Sequence, residues 1–208
     1  MVVDPVSIAF DEDGRLFAVE MRGYSERRDE KRGRIRMLFD DDDDGVFDRS
    51  TVYARDLRWP TGVVCFGGGI FVVASPDLIW FKDSDGDGVA DERKVVFTGF
   101  GEGVSRLNVQ GLPNSLKWGP DNRIWGSSGT QGGKVRPSGD QGGKEINLSG
   151  SDFSFDPFTL DFRAENGRAQ YGLRFDSHGS RFVSSNSNHV IAVRWERSWP
   201  RPSPWYSM

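Results

Sequence analysis

The sequence predicts an all-β protein of the β-propeller type with four-stranded antiparallel blades, and three observations predict it. One motif recurs four times at a spacing of roughly 55 residues. Each copy alternates apolar and polar residues up to a Gly/Asp-rich turn and then resumes with an apolar pair, which is the pattern of a β-hairpin. A second hairpin follows in most copies, and two hairpins make one four-stranded blade.

The copies can be read directly. The first is Pro5, Ile8, Phe10, a turn at 11–14, then Leu16 and Phe17. The second is Pro60, Val63, Cys65, a triple-glycine turn, then Ile70 and Phe71. The third is Pro113, Leu116, Trp118, a turn at 119–122, then Ile124 and Trp125. The fourth is Gln170, Leu173, Phe175, a turn at 176–179, then Phe182 and Val183. The second hairpins pair 33–39 with 50–55, 78–82 with 93–97 and 151–155 with 161–164. A β-sandwich of short strands is the competing reading, and four copies at near-constant spacing argue against it.

Four copies are few for a closed ring, and the last one decays. Residues 1–193 are therefore expected to be a partial propeller of about four blades. Residues 194–208, with three prolines and three tryptophans after His189, are expected to be an irregular tail. The expectation is a fragment of a longer protein. Met1–Pro5 has neither a basic region nor an apolar signal core, which fits a missing N-terminus as well as a cytoplasmic chain.

Composition narrows the function. The net charge of −4 and pI of about 5.3 argue against nucleic acid, which needs a basic face. No apolar stretch approaches the ~20 residues of a membrane span. The lone Cys65 sits in an apolar run and reads as a small buried hydrophobe.

Two acidic loops share one spacing. Asp40, Asp42, Asp44, Gly45 and Asp48 match Asp83, Asp85, Asp87, Gly88 and Asp91. Carboxylates at positions 1, 3, 5 and 9 with glycine at 6 form the front of an EF-hand-type calcium loop. Thr51 and Lys94 stand where a bidentate Glu would close it, although Glu92 could partly substitute. The alternative is a solvated acidic hairpin tip. Crowded carboxylates repel without a cation, which favours calcium.

Ligands of propellers sit near the central axis, on loops that lead into the inner strands. Here those are read as 20–23, 59–62, 101–115 and 166–172, with 184–189 after the last turn. The third loop offers Arg106, Asn108, Gln110 and Asn114, which can orient a small ligand or cap strand ends. His178 reads as a surface turn residue, and His189 has the better claim to a pocket.

These residues resemble a known family. Pro5–Tyr24, Gly33-Arg-Ile-Arg36, the Asp-rich loops, Trp59-Pro-Thr-Gly62, Asn108-Val-Gln110, Trp118-Gly119 and Arg181–His189 look like the planctomycete-type membrane-bound dehydrogenase domain. That family is similar to the soluble quinoprotein glucose/sorbosone dehydrogenases. The resemblance implies a six-bladed ring using pyrroloquinoline quinone and calcium, an extracytoplasmic (periplasmic) location, and a cytochrome c-type module in the full-length protein. It implies an oxidoreductase that oxidises a sugar or alcohol and passes electrons to a cytochrome. The alternative is a non-catalytic, calcium-stabilised propeller that binds a glycan or a protein. The family's cofactor-contacting Arg-Asn pair falls on Arg168-Ala169, so the arginine matches and the asparagine does not. Its catalytic histidine falls on Gly111. The expected site is thus Arg168 for catalysis and cofactor binding, with Asn108 and Gln110 beside the cofactor; the base would be His189, a carboxylate such as Glu20, or, as the first expectation, no residue of this chain.

Overall fold

The computed structural model describes residues 2–102, 108–139 and 143–194, and nearly all of its regular structure is strand. Strands β1 (Pro5–Phe10), β2 (Leu16–Glu20), β3 (Gly33–Phe39) and β4 (Arg49–Leu57) form the first sheet in that order. β5 (Gly62–Phe66), β6 (Gly69–Ala74), β7 (Asp77–Lys82) and β8 (Glu92–Phe100) form the second. β9 (Asn114–Trp118) and β10 (Ile124–Ser127) begin the third. The chain then makes β11 (Gly133–Pro137) and β12 (Ile146–Asn147) before β13 (Asp152–Phe155) and β14 (Phe162–Glu165) complete it. β15 (Tyr171–Phe175), β16 (Arg181–Ser184) and β17 (Ile191–Val193) form the fourth sheet, three-stranded among the described residues. All pairings are antiparallel.

Each repeat copy opens one sheet, and the opening strands stand side by side in the order β1, β5, β9, β15. This is the predicted propeller-type arrangement, an open arc among the described residues. β1 leaves Val6, Ile8 and Phe10 exposed. Residues 195–208, most of the expected tail, lie outside the described residues, as does Arg106.

The sheets pack face to face because strand side chains alternate. In β6, Ile70 and Val72 point into a core with Phe17, Val19, Ile35 and Met37 of the first sheet. Phe71 and Val73 point the other way, into a core with Leu116, Ile124, Phe153 and Phe155 of the third. That second core is dense in rings, with Phe71 and Phe155 edge to face at 5.1 Å and Phe153 and Phe162 stacked at 5.4 Å. Gly126 makes room for it, since a Cβ there would lie 2.3 Å from the Phe153 ring.

Two sequence expectations need correction. Residues 20–23 do not lead into an inner strand; they follow β2 on the way to β3, although they share the cavity end of the sheet because Glu20 pairs with Pro5. The stretch between β10 and β13 was not foreseen as strand. It crosses to the second sheet, where β11 pairs with the outer strand β8 and β12 pairs with β11. Arg136 anchors this strap on Glu102 at 2.7 Å.

The third and fourth sheets meet through a smaller, more polar junction. Asp152 is fully buried, and its Oδ1 accepts a hydrogen bond from the Ala169 amide at 3.1 Å. Ser127 Oγ donates to the Ala169 carbonyl at 2.5 Å. Within the third sheet, Arg123 Nε donates to Ser154 Oγ at 2.9 Å, and Ser154 Oγ donates to Glu165 at 2.7 Å. Burial pushes the Asp152 carboxyl up to about 6, against the pull of the Ala169 amide and the Arg181 charge, while Glu165 adds to the rise.

A raised carboxyl pKa means that the folded chain keeps a proton which the unfolded chain has released. Between the ordinary value of 3.8 and about 6, the stability contribution of Asp152 therefore falls as pH rises. The loss should be on the order of 2–3 kcal/mol. Asp152→Asn should flatten this part of the profile, measured by denaturant unfolding from about pH 4 to pH 7. An unchanged slope would show that other groups set it.

Candidate functional site

The inner strands enclose a cavity of about 1160 Å³ at the axis. β1 forms one wall, and β9 and β15 form the other; Tyr24, Thr61, Gln110 and Asn186 stand on the connections around it. It lies where propellers place their ligands.

Side-chain bonds, in place of a backbone ladder, hold β9 and β15 together at the cavity wall. Asn114 Nδ2 donates to the carbonyls of Leu112 at 2.9 Å and Gln170 at 2.8 Å. Ser115 Oγ donates to Asn114 Oδ1 at 2.6 Å and accepts from the Gly172 amide at 3.1 Å. Tyr171 donates its hydroxyl to the Gln110 carbonyl at 3.0 Å and accepts from Gln170 Nε2 at 3.2 Å. The Asn186 amide donates to Gln170 Oε1 at 3.2 Å. The loop polar groups are thus largely committed to shape.

Two cations are not committed in this way. Lys117 and Arg174 both line the cavity, and neither forms an ion pair with another described residue. Arg174 spends one Nη1 bond on the Leu173 carbonyl at 2.7 Å. Burial first, and then the Arg174 charge, push the Lys117 ammonium below its usual range. Asp4 is the one carboxylate among the described lining residues. The arrangement attracts an anion.

The residues expected from sequence divide. Gln110, with Asn114 and Asn186, lines the cavity. Asn108 does not: its Oδ1 accepts from the Gln110 amide at 3.0 Å and its Nδ2 donates to Thr130 at 3.2 Å. Arg168 and His189 are exposed and are not among the cavity-lining residues; nor is His178. Sequence reading missed Arg174 and Lys117. The only sequence signal for them was position, two residues after Gly172 and two after Ser115 on inner strands.

Two further groups are accounted for structurally. Glu20 is fully buried; burial would raise its pKa, but hydrogen bonds from Arg34, from Arg36 at 3.0 Å and from the Val3 amide at 3.0 Å hold it below the usual range. It is locked as a carboxylate in a structural network. Cys65 is half-buried rather than buried, and burial pushes its thiol up to about 12, so it is a poor nucleophile.

The acidic loops form the β3–β4 and β7–β8 hairpin tips, the first of them at the opposite end of its sheet from Pro5 and Glu20. Carboxylate oxygens of Asp40, Asp42 and Asp48 lie within 4.8 Å of one another, and so do those of Asp83, Asp85 and Asp87. Asp44 and Asp91 stand outside these trios. Asp44 accepts from the Val46 amide at 2.7 Å, and Asp91 accepts from the Ser84 amide at 2.8 Å. Gly45 and Gly88 adopt φ of 87° and 86°, the left-handed turn the spacing required. The second loop is also docked on the first sheet, where Thr51 Oγ1 donates to the Gly88 carbonyl at 2.6 Å and the Ala90 amide donates to Tyr53 O at 2.8 Å.

A family model described as Domain of unknown function (DUF7133) matches residues 1–205. No curated protein matches the sequence. Among solved structures, the chain is similar to the holo form of the pyranose dehydrogenase PQQ domain from Coprinopsis cinerea. The TM-score is 0.54 at 16% identity, over 88% of this chain and 43% of that one. A calcium structure of the Trichoderma reesei carbohydrate-active enzyme of family AA12 matches with a TM-score of 0.48 at 14% identity, over 94% of this chain and 68% of that one. The likeness to the pyranose dehydrogenase domain shows the fold, and this chain spans less than half of that chain's length.

The cavity makes one electrostatic prediction of its own. Arg174→Ala removes the cationic neighbour, so the Lys117 ammonium should titrate at higher pH than in the parent. Carbon-13 NMR of the lysine side chains would read this. An unmoved titration would mean that burial alone sets Lys117.

Proposed function

This chain belongs to the DUF7133 family, and we propose that it is a quinoprotein-like dehydrogenase domain whose axial cavity holds an anionic, planar cofactor of the pyrroloquinoline quinone type. The single observation that carries the reading is the pair of unneutralised cations, Lys117 and Arg174, in a cavity of about 1160 Å³. The similar fold of a PQQ-binding domain supports it.

The fit is good for the cofactor's charge. Arg174 and Lys117 would hold carboxylates, the former through its planar fork and the latter as a point charge. When bound, the quinone would supply the two-electron acceptor for a sugar or alcohol. Tyr24 and Tyr171 offer flat walls, and the Asn114–Gln170 bonds keep the β9–β15 wall in register. The arginine that resemblance assigned, Arg168, gives way to Arg174 in this reading. The general base is not a histidine of the described cavity wall, and Glu20 is already engaged by two arginines. Electron transfer to a cytochrome c-type partner and an extracytoplasmic location go with this proposal.

A second reading is a non-catalytic propeller stabilised by calcium that binds a glycan or protein partner, and the two carboxylate trios favour it. The metal ligands would be Asp40, Asp42 and Asp48 in one loop and Asp83, Asp85 and Asp87 in the other, with Asp44 and Asp91 shaping the turns. Hard oxygen donors suit calcium.

Titration of the chain with pyrroloquinoline quinone should give a saturable change in quinone absorbance. Arg174→Ala and Lys117→Ala should each weaken it at least about tenfold. Parent-like binding in both variants defeats the cofactor reading. Calorimetry with calcium chloride should show two sites, with Asp42→Ala and Asp85→Ala each removing one. A dye-linked assay over a sugar panel then separates the two readings: calcium binding without quinone binding or turnover leaves the second.

A further inference from the structure

We infer that the chain carries a separate binding site for a neutral carbohydrate, between the third and fourth sheets. A cavity of about 620 Å³ opens there, within the range of small-molecule sites. It shares no lining residue with the axial cavity.

Its wall holds a guanidinium that is buried and only partly used. Arg181 is 7% exposed. Its Nη2 donates to the Asn166 carbonyl, and its Cζ lies 4.7 Å from the centre of the Trp125 ring. Its Nη1 has no hydrogen-bond partner among the described residues. Buried donors are normally satisfied, so this group calls for an acceptor; Asp152, whose Oδ2 is likewise without a hydrogen-bond partner, is the charge beside it inside the protein, and the cavity that Arg181 lines is the other source. Glu165 lines the same cavity as an acceptor, its Oε1 already fixed by Ser154. A hydroxyl accepts from a guanidinium and donates to a carboxylate, and neighbouring hydroxyls on one ring can do both.

Charge selects the ligand class. Arg181 and Arg194 are balanced by Glu165 and Asp121 in the lining. An anion would meet the carboxylates, and a cation would meet the arginines. Trp125, Phe175 and Phe182 supply the apolar part of the wall. Trp125 is held by its Nε1–H, which donates to Asp121 at 2.9 Å, and by the edge of Phe175 at 5.5 Å. Rigid aromatic surface beside a donor–acceptor pair suits the apolar face and hydroxyl rim of a pyranose.

The test uses the full chain with D-glucose, maltose and cellobiose as probes, followed through the indole Nε1–H resonance of Trp125 and by calorimetry. At least one probe should shift that resonance saturably, with a Kd on the order of 1 mM. Ala192→Trp, at an exposed position of the lining, fills the cavity without touching the buried network and should weaken binding at least about tenfold. Arg181→Lys should weaken it as well, with the fold checked by circular dichroism. Arg174→Ala, in the axial cavity, should leave the Trp125 shift unchanged. The inference is overturned if none of the three sugars moves Trp125 at about 50 mM, if Ala192→Trp binds like the parent, or if sodium glucuronate binds more tightly than glucose. Quinone binding at the axis is read separately, so failure here leaves that reading standing.

Discussion

The constraint on which the rest depends is that the second sheet must be apolar on both faces. β6 is its clearest expression: every residue from Gly69 to Ala74 is buried, with alternate side chains committed to opposite neighbours. A strand buried on both sides reads as a continuous apolar run. Each fully buried Val, Ile or Phe contributes about 1.5–3 kcal/mol, so this strand joins three sheets into one packed series. The opening strands β1, β5 and β9 then have no freedom to move apart, and the axial cavity inherits its walls from that packing.

The close fit has local costs that glycine absorbs. Gly126 yields its side-chain volume to Phe153, and Gly99 does the same at the strap. A Cβ on Gly99 would lie 2.1 Å from the Lys134 carbonyl, and its φ of 106° is open to glycine. The strap itself covers the outer edge of the second sheet, the place where an unpaired strand would be open to other chains. The third and fourth sheets solve their junction differently. Buried charged and hydroxyl groups accompany the Trp125–Phe175 ring contact there, and the hydrogen bonds they make are directional and incomplete. That junction is accordingly where a buried acid is perturbed and where a cavity persists.

At the axis, committed and uncommitted polar groups must be told apart. Asn114 looks in sequence like a ligand-binding residue, yet its bonds, with that of Ser115 to Gly172, join β9 to β15. Lys117 and Arg174 look like ordinary strand charges, yet they face the cavity without carboxylate partners. The acidic loops are the opposite case. Their spacing alone specified the glycine turn, and the carboxylates do converge, although on three aspartates per loop rather than four.

Sequence alone determined the number of sheets begun by the four copies, the strands of the first two sheets to within a few residues, and the positions of the acidic hairpin tips. These are local properties: a period of two, a glycine with positive φ, and a fixed count between carboxylates. Tertiary structure alone decided that β11 and β12 join a neighbouring sheet, because strand pairing at an outer edge leaves no periodic mark in strands so short. It alone decided that Arg174 rather than Arg168 faces the axis. Arg168 stands in the connection before β15 and Arg174 on the strand itself, and only the packing of one sheet on the next says which face of that strand becomes a wall and which becomes a core.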